Sequence, residues 1–412
     1  MLRSLAALGA GLAFALTGAA VAYDLIAAAR LRGLRGRSAP ATSATIPVTV
    51  FKPVAGVEAE LFENLCSFVD QQYPQFQVIF GVARGSDPAI EVIERVMARF
   101  PHADLALTVG NGSANGNPKI ANLSTMMERA KYDLFAIADA DMRVDPSYLS
   151  TIVSAFDDPR VGAVTCLYCG EPTGGFASGL GAMYINEQFA PSVLVANLVE
   201  PLTYCFGSTM AVRRAVLDEI GGLEALHAYI GDDYLLGKRV SERGYIVGLA
   251  PYVARNIVHE PNLRSLLRHE LRWARTIRAQ RPSGYASLFV TQPLMCAALL
   301  LAATSASQPA WIVLAAAVSA RALLAGAASR AFNVPLAPLW ALPVRDALSA
   351  AVWIGGFFTQ EVRWRERTYS VGDDGRVATA ASASGDSFIS RHPRQQQDDK
   401  RDRDVAEPQD QS

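Results

Sequence analysis

"FAIADADMRVD", residues 135–145, opens as an apolar run and ends in acids, with Asp139, Asp141 and Asp145 inside seven residues. The apolar part, 134–138, reads as a buried strand, and the carboxylates fall where the chain leaves the core. Working outward, "IPVTVFKP" (46–53), "QVIFGVA" (77–83), "DLALTV" (104–109) and "VGAVTC" (161–166) are further short β-branched or aromatic runs. Helix-compatible stretches at 58–70, 88–100 and 120–130 separate them. Strands alternating with helices predict an α/β fold with a mostly parallel sheet covered on both faces. Ligands in such sheets bind at the carboxyl ends of strands.

Asp139 and Asp141 sit at such an end. At i and i+2 on extended backbone they point the same way. Side by side they repel unless a cation lies between them. A divalent Mg or Mn ion carrying phosphate oxygens satisfies both, because hard cations take oxygen ligands. The competing reading is an acidic turn ahead of the next helix, and Asp145-Pro146 fits that helix-start role. Three features sharpen the pattern. "GSDPAIEVI" sets Asp87 just past the second strand. "YIGDDYLLGKRV" sets Asp232 and Asp233 at a helix start, where Asp232 reads as the N-cap. "HELRWARTIR", 269–278, repeats arginine at helical spacing around Trp273. That helix either lies on anionic lipid or, through Arg272 and Trp273, offers a fork donor beside an aromatic platform.

The 412 residues are 50% hydrophobic with a formal net charge of −1, so no global field points to nucleic acid. Residues 5–23 form an apolar stretch about long enough to span a bilayer, followed by Arg30, Arg32, Arg35 and Arg37. Cationic residues after the stretch predict a retained anchor with the following domain in the cytoplasm. Residues 288–306 and 310–328 read as a membrane hairpin, with Arg321 snorkelling from the second arm. Residues 336–358 are a third candidate, cut by "PVRD" at 343–346 and read as a short span or re-entrant piece. Its flank of Arg363, Arg365 and Arg367 favours the cytoplasm, whereas simple alternation of spans puts it opposite. Residues 371–412 are polar and charged, which predicts a disordered tail. The expected organisation is an anchor at 1–30, a catalytic domain at 44–282, a membrane region at 286–365 and the tail at 371–412. Five cysteines without a regular framework fit a reduced compartment. Cys166 and Cys169 form a CxxC in a strand-like stretch, with no second ligand pair nearby.

Taken in order, Asp87, Asp139, Asp233 and "RW" at 272–273 resemble the D, D, D, (Q/R)xxRW signature of membrane-bound processive-type glycosyltransferases, and most of all the ceramide glucosyltransferase family. "NPKIANLSTMMERAKYDLFAIADADMRV", 117–144, is similar to that family's nucleotide-sugar segment. The resemblance runs over most of 46–290. "VTCLYCG" and the "DAD" form resemble the bacterial branch associated with hopanoid biosynthesis. The resemblance implies a GT-A fold and an inverting transfer of N-acetylglucosamine or glucose from a UDP-sugar to a hydroxyl of a membrane lipid. That lipid is a polyhydroxylated hopanoid or, alternatively, a ceramide. It implies a bacterial inner membrane, several spans, and a catalytic domain on the cytoplasmic side. It implies donor binding by Asp87, Lys119, Asp139 and Arg272, a divalent cation on Asp139 and Asp141, Asp233 as catalytic base, and acceptor contacts from Trp273 and His269. His269 departs from the usual Gln or Arg. Eukaryotic members carry another residue where Asp141 stands, which makes Asp139 the firmer ligand. Two rival readings remain: a processive polysaccharide synthase, for which three or four spans are few, and a non-catalytic membrane scaffold that binds nucleotide.

Overall fold

The computed structural model describes residues 2–34, 45–112 and 116–358, and the backbone of 361–364, 367–371 and 377–379. Its main sheet has eight strands: β1 (Val48–Val54), β2 (Phe76–Val82), β3 (Leu105–Val109), β4 (Leu134–Ile137), β5 (Met142–Arg143), β6 (Val161–Pro172), β7 (Met210–Arg213) and β8 (Ile246–Val258). Their order is β3-β2-β1-β4-β7-β6-β8-β5. Strands β1 to β4 run parallel, β7 is antiparallel to both neighbours, and β6 pairs parallel with β8. The five apolar runs of the sequence supply β1, β2, β3, β4 and β6. Strands β5, β7 and β8 are additions. Three short antiparallel strands, β9 (Glu361–Trp364), β10 (Arg367–Val371) and β11 (Val377–Thr379), form a second sheet.

Side chains alternate between the two faces of the sheet and feed two cores. One holds Val50, Val78, Phe80 and Cys166; the other holds Phe51, Ile79, Phe135 and Cys169. Cys166 and Cys169 therefore point to opposite faces and cannot share a metal or a disulfide. The second core continues into the apolar helices. Ala27, Ala28 and Leu31 of the Leu2–Arg32 helix join it, as do Leu324, Ala327 and Phe332 of the Gln308–Phe332 helix. The carboxyl ends of both helices are thus built into the globular body.

By length and composition, Leu8–Arg32 and Gln308–Phe332 could each cross a membrane. Three expectations for this region are corrected. The first hairpin arm is broken: Pro282–Thr291 and Pro293–Ala303 meet at 75°, where Pro293 begins a new helix. The third candidate is a helix of only 15 residues, Ala341–Gly355. Pro343 falls in its first turn, where no backbone donor is lost, so "PVRD" starts the helix rather than cutting a span. Finally, Arg321 does not snorkel. It is fully buried, its Nη1 lies 2.8 Å from Glu187 Oε2, and its Nε donates to Asp346 Oδ1 at 2.9 Å. A charge in an apolar helix turns inward when acids are there to meet it. Arg35 and Arg37, the side chains of Arg363, Arg365 and Arg367, and the tail apart from Val371 and Val377–Thr379 lie outside the described residues.

Candidate functional site

The site is built where β4 ends. Asp139 donates its backbone N–H to Gly207 O at 3.3 Å, which ties the acidic turn to the loop ahead of β7. Asp233 reaches the same place from the Asp232–Glu242 helix. Its Oδ1 accepts from the Tyr234 N–H at 2.8 Å. A Cβ placed on Gly207 would lie 2.6 Å from Asp139 Oδ2 and 3.6 Å from Asp233 Oδ2. The two carboxylates are therefore neighbours across a glycine that has no room for a side chain.

Lys119 stands between the acids. Its Nζ lies 2.7 Å from Asp139 Oδ1 and 3.3 Å from Asp232 Oδ2. Burial alone would lower its pKa, but the charges of Asp139, Asp232 and Asp233 outweigh that and hold it well above the ordinary lysine value. Asn117 makes this placement possible. Its Oδ1 accepts from the N–H of Lys119 at 2.9 Å and caps the Pro118–Met127 helix, with Pro118 at the first position. Its Nδ2 donates to Tyr229 O at 2.9 Å and Asp232 Oδ1 at 3.2 Å. Asp232, expected as an N-cap, makes no capping bond: Gly231 holds that position, and Asp232 is turned onto Asn117 and Lys119.

Asp141 lies one step further in. Its Oδ2 accepts from Asn256 Nδ2 on β8 at 2.7 Å, while its Oδ1 is buried without a hydrogen-bond partner. Burial, then the Asp139 charge, raises its carboxyl above the usual range; Asn256, Lys52 and His269 pull the other way. Burial, with Asp232, likewise raises Asp233 to about 6, against the opposing charge of Lys119. Asp145 accepts from the N–H of Ser147 at 2.8 Å in the turn just ahead of the Tyr148–Ser154 helix, whose N-cap position is held by Ser147 rather than by Asp145.

Two residues here escaped the sequence reading. Lys52, two residues before the end of β1, is fully buried. It donates to the Asp139 carbonyl and lies 3.7 Å from the centre of the Phe68 ring. Burial lowers its pKa to about 7, although Asp141 and Asp139 favour the charged form. Tyr168 of β6 is the second. Burial raises its phenol well above the ordinary range, with Tyr184, Asp233, Asp141 and Asp139 adding to the effect.

Asp87 lies at the same edge of the sheet, but β1 stands between its strand and β4. That is roughly 10 Å at the usual strand spacing. Its carboxylate accepts from the Gly56 N–H at 2.9 Å and the Ala89 N–H at 2.9 Å, pinning the loop after β1. The arginine-rich sequence forms the Leu263–Gln280 helix. His269 hydrogen-bonds Glu260 at 2.8 Å and packs its ring 4.2 Å from that of Trp273. Trp273 stacks on Tyr184 with centroids 5.9 Å apart. Arg272 is half-buried beside it. At the far end of this helix, Gln280 Nε2 donates to Gly231 O at 3.2 Å, one residue before Asp232.

Among the described residues no group of three or more His, Cys, Asp or Glu could hold a metal ion. Two carboxylates, one with a buried oxygen that has no hydrogen-bond partner, still suit a hard divalent cation whose other ligands come from a diphosphate.

A mannosyltransferase of Pyrobaculum calidifontis, solved in complex with GDP-Man and Mn2+, superposes with a TM-score of 0.54 at 20% identity, covering 85% of this chain and 99% of that one. That likeness is one of fold and gives the sheet a GT-A-like character. Ceramide glucosyltransferase 3 of Caenorhabditis elegans is 27% identical over 238 residues, 57% of this chain and 51% of that protein. Ceramide glucosyltransferase 1 of the same organism is 26% identical over 253 residues, 61% and 53%. The chain thus spans about half the length of these two relatives. Residues 12–377 match the family described as Glycosyl transferase family 21, and the chain belongs to that family.

Proposed function

We propose that this protein is a membrane-bound inverting glycosyltransferase that moves a hexose, N-acetylglucosamine or glucose, from a UDP-sugar to a hydroxyl of a membrane lipid. The favoured acceptor is a polyhydroxylated hopanoid, with ceramide as the alternative. The reading rests chiefly on the meeting of Asp139 and Asp233 across Gly207, with Lys119 between the acids.

A lipid hydroxyl is a weak nucleophile, so its proton must leave as the new bond forms. Asp233 is the proposed base. A carboxyl raised to about 6 takes a proton more readily than one at its ordinary value and is still ionised at neutral pH. The bond from the anomeric carbon to UDP breaks as the hydroxyl attacks from the opposite side, which inverts the configuration. Lys119 supplies a fixed positive charge beside the departing diphosphate, and Arg272 grips it. A divalent cation held by Asp139 and Asp141 would neutralise the same charge when bound. Asp87 is the proposed uracil contact; Trp273 and His269 line the acceptor side. The domain is assigned to the cytoplasmic face of a bacterial inner membrane, with a UDP-sugar, the lipid acceptor and the bilayer as partners.

The test is incubation of the membrane-embedded protein with radiolabelled UDP-glucose or UDP-N-acetylglucosamine, with and without Mg2+ or Mn2+, in membranes supplemented with hopanoid polyol or ceramide. Label extracting into organic solvent supports the reading, and the productive pair names donor and acceptor. Label only in a water-soluble polymer, or none, overturns it.

A further inference from the structure

A cavity of about 240 Å3 lies between the Phe176–Tyr184 helix, the carboxyl end of the Gln308–Phe332 helix and the loop at 334–341. That exceeds the ~150 Å3 that accommodates a benzene in a dry protein cavity. Leu180, Met183, Ala325, Ala328 and Trp340 supply apolar walls. Three polar side chains also line it, and each is engaged by the protein itself. Asn186 exchanges both amide bonds with the Gly170 backbone, at 2.7 and 2.9 Å. Glu187 is paired with Arg321, and Ser329 donates to Val334 O at 2.7 Å. Water entering here would find few partners, so the space suits hydrocarbon.

Gly179 is one of the lining residues. It sits inside a helix, where alanine would be about 1 kcal/mol more favourable. A Cβ there would meet nothing within 4 Å. No neighbour therefore requires a glycine here, and a larger side chain at this position would extend into the cavity it lines. At the mouth, Phe176 and Trp340 stack with centroids 5.8 Å apart while remaining 49% and 62% exposed. Exposed aromatics beside a helix long enough to cross a membrane belong at the bilayer interface.

Strand β6 carries residues near both the cavity and the site. Tyr168 and Gly170 lie on one face of that strand, roughly 7 Å apart at 3.3 Å per residue. Tyr168 packs on Phe189 with ring centroids 4.6 Å apart, and Phe189 on Phe206, the residue before Gly207, at 5.2 Å, while Gly170 lines the cavity.

We propose that this cavity takes one hydrocarbon tail of the acceptor lipid and so presents its hydroxyl end to the cleft between Asp139 and Asp233. The proposal rests on the lipid-acceptor reading above. A resident phospholipid is the competing occupant, and the test separates the two.

The experiment uses the full chain in lipid nanodiscs, with ceramide and a hopanoid polyol each carrying a diazirine in the hydrocarbon part, and a phosphatidylcholine carrying one in a tail. Crosslinks of either acceptor probe to 176–187 or 325–341, cut at least tenfold by Gly179→Leu, are expected. Gly179→Leu is also expected to raise KM for the long-chain acceptor at least tenfold. It should leave turnover on a short-chain acceptor of the same head group, and donor binding, unchanged. Crosslinks elsewhere, labelling indifferent to Gly179→Leu, or phosphatidylcholine that excess acceptor fails to displace would each overturn the proposal. Wild-type protein that crosslinks here yet glycosylates no lipid would sink the transferase reading and, with it, the acceptor assignment, while leaving a lipid-tail site.

Discussion

Lys119 holds its ammonium 2.7 Å from the Asp139 carboxylate, the lysine at the start of a helix and the aspartate just past the end of a strand. The Pro118–Met127 helix starts at Asn117, whose side chain also reaches Asp232, so one asparagine sets helix start, lysine and second acid together. Three carboxylates around one lysine leave a net negative site. Such a site is matched by a ligand that brings its own cation, which is the state of a nucleotide diphosphate with a divalent metal.

Gly207→Ala tests whether the two carboxylates work as a pair. The new methyl would sit 2.6 Å from Asp139 Oδ2, so the carboxylate must move. Displacements of about 1 Å in a reacting group cost on the order of 10²-fold in rate. Turnover should fall by about that factor while the circular dichroism spectrum and melting point stay near wild type. Unchanged turnover would show that Asp139 is not needed where it stands.

Asp233→Asn separates chemistry from binding. The amide keeps the shape but cannot take the acceptor's proton, so turnover should fall by about 10²–10⁴-fold. Equilibrium binding of UDP should change little, because the diphosphate is assigned to other residues. A variant that retained near-normal turnover would remove Asp233 from the role of base.

The sequence made some of this visible and hid the rest for physical reasons. Strands β1 to β4 are legible because each is a short β-branched or aromatic run bounded by turns. Strand β7, "MAVR", is four residues long and carries no such signal. Strand β8 contains Gly248 and Pro251, which break its pattern, and its pairing with β6 shifts register there. Asp87, Asp139 and Asp141 were legible because they follow apolar runs, and Asp232 and Asp233 because the pair opens a helix. Lys52 was not, since a lysine near a strand end reads as solvated; what satisfies its buried ammonium is a carbonyl 87 residues away. Gly207 gains its meaning only from the approach of Asp139. A lone arginine in an apolar helix reads alike whether it snorkels or pairs, and the partners of Arg321 lie on two other elements.

Arg345 and Glu270 form a bidentate pair, 2.7 Å on each arm, with both side chains buried. The pair fastens the Leu263–Gln280 helix, and with it His269, Arg272 and Trp273, to the Ala341–Gly355 helix. Glu270→Ala strands a buried guanidinium and should cost about 3–5 kcal/mol. Replacing both residues, Glu270→Leu with Arg345→Met, should be much milder, because no uncompensated charge remains. Thermal unfolding in one detergent decides it: equal losses in the single and double variants would mean that packing, not charge, holds the two helices.

The last prediction concerns pH. The proposed base works ionised, so kcat/KM should fall as pH drops through the pKa of Asp233, placed at about 6. Lys119 is the positive charge holding that value down against burial and the neighbouring acids. Lys119→Met removes the charge while keeping much of the side-chain length. The pKa of Asp233 should then rise, and the acidic limb of the kcat/KM profile should move to higher pH. The plateau should also fall, because the diphosphate loses a cationic partner, but the midpoint of the limb is independent of its height. A profile measured from pH 5 to 8.5 at saturating divalent cation reads both. A limb that stays in place or moves to lower pH would show that Lys119 does not set the proton affinity of Asp233.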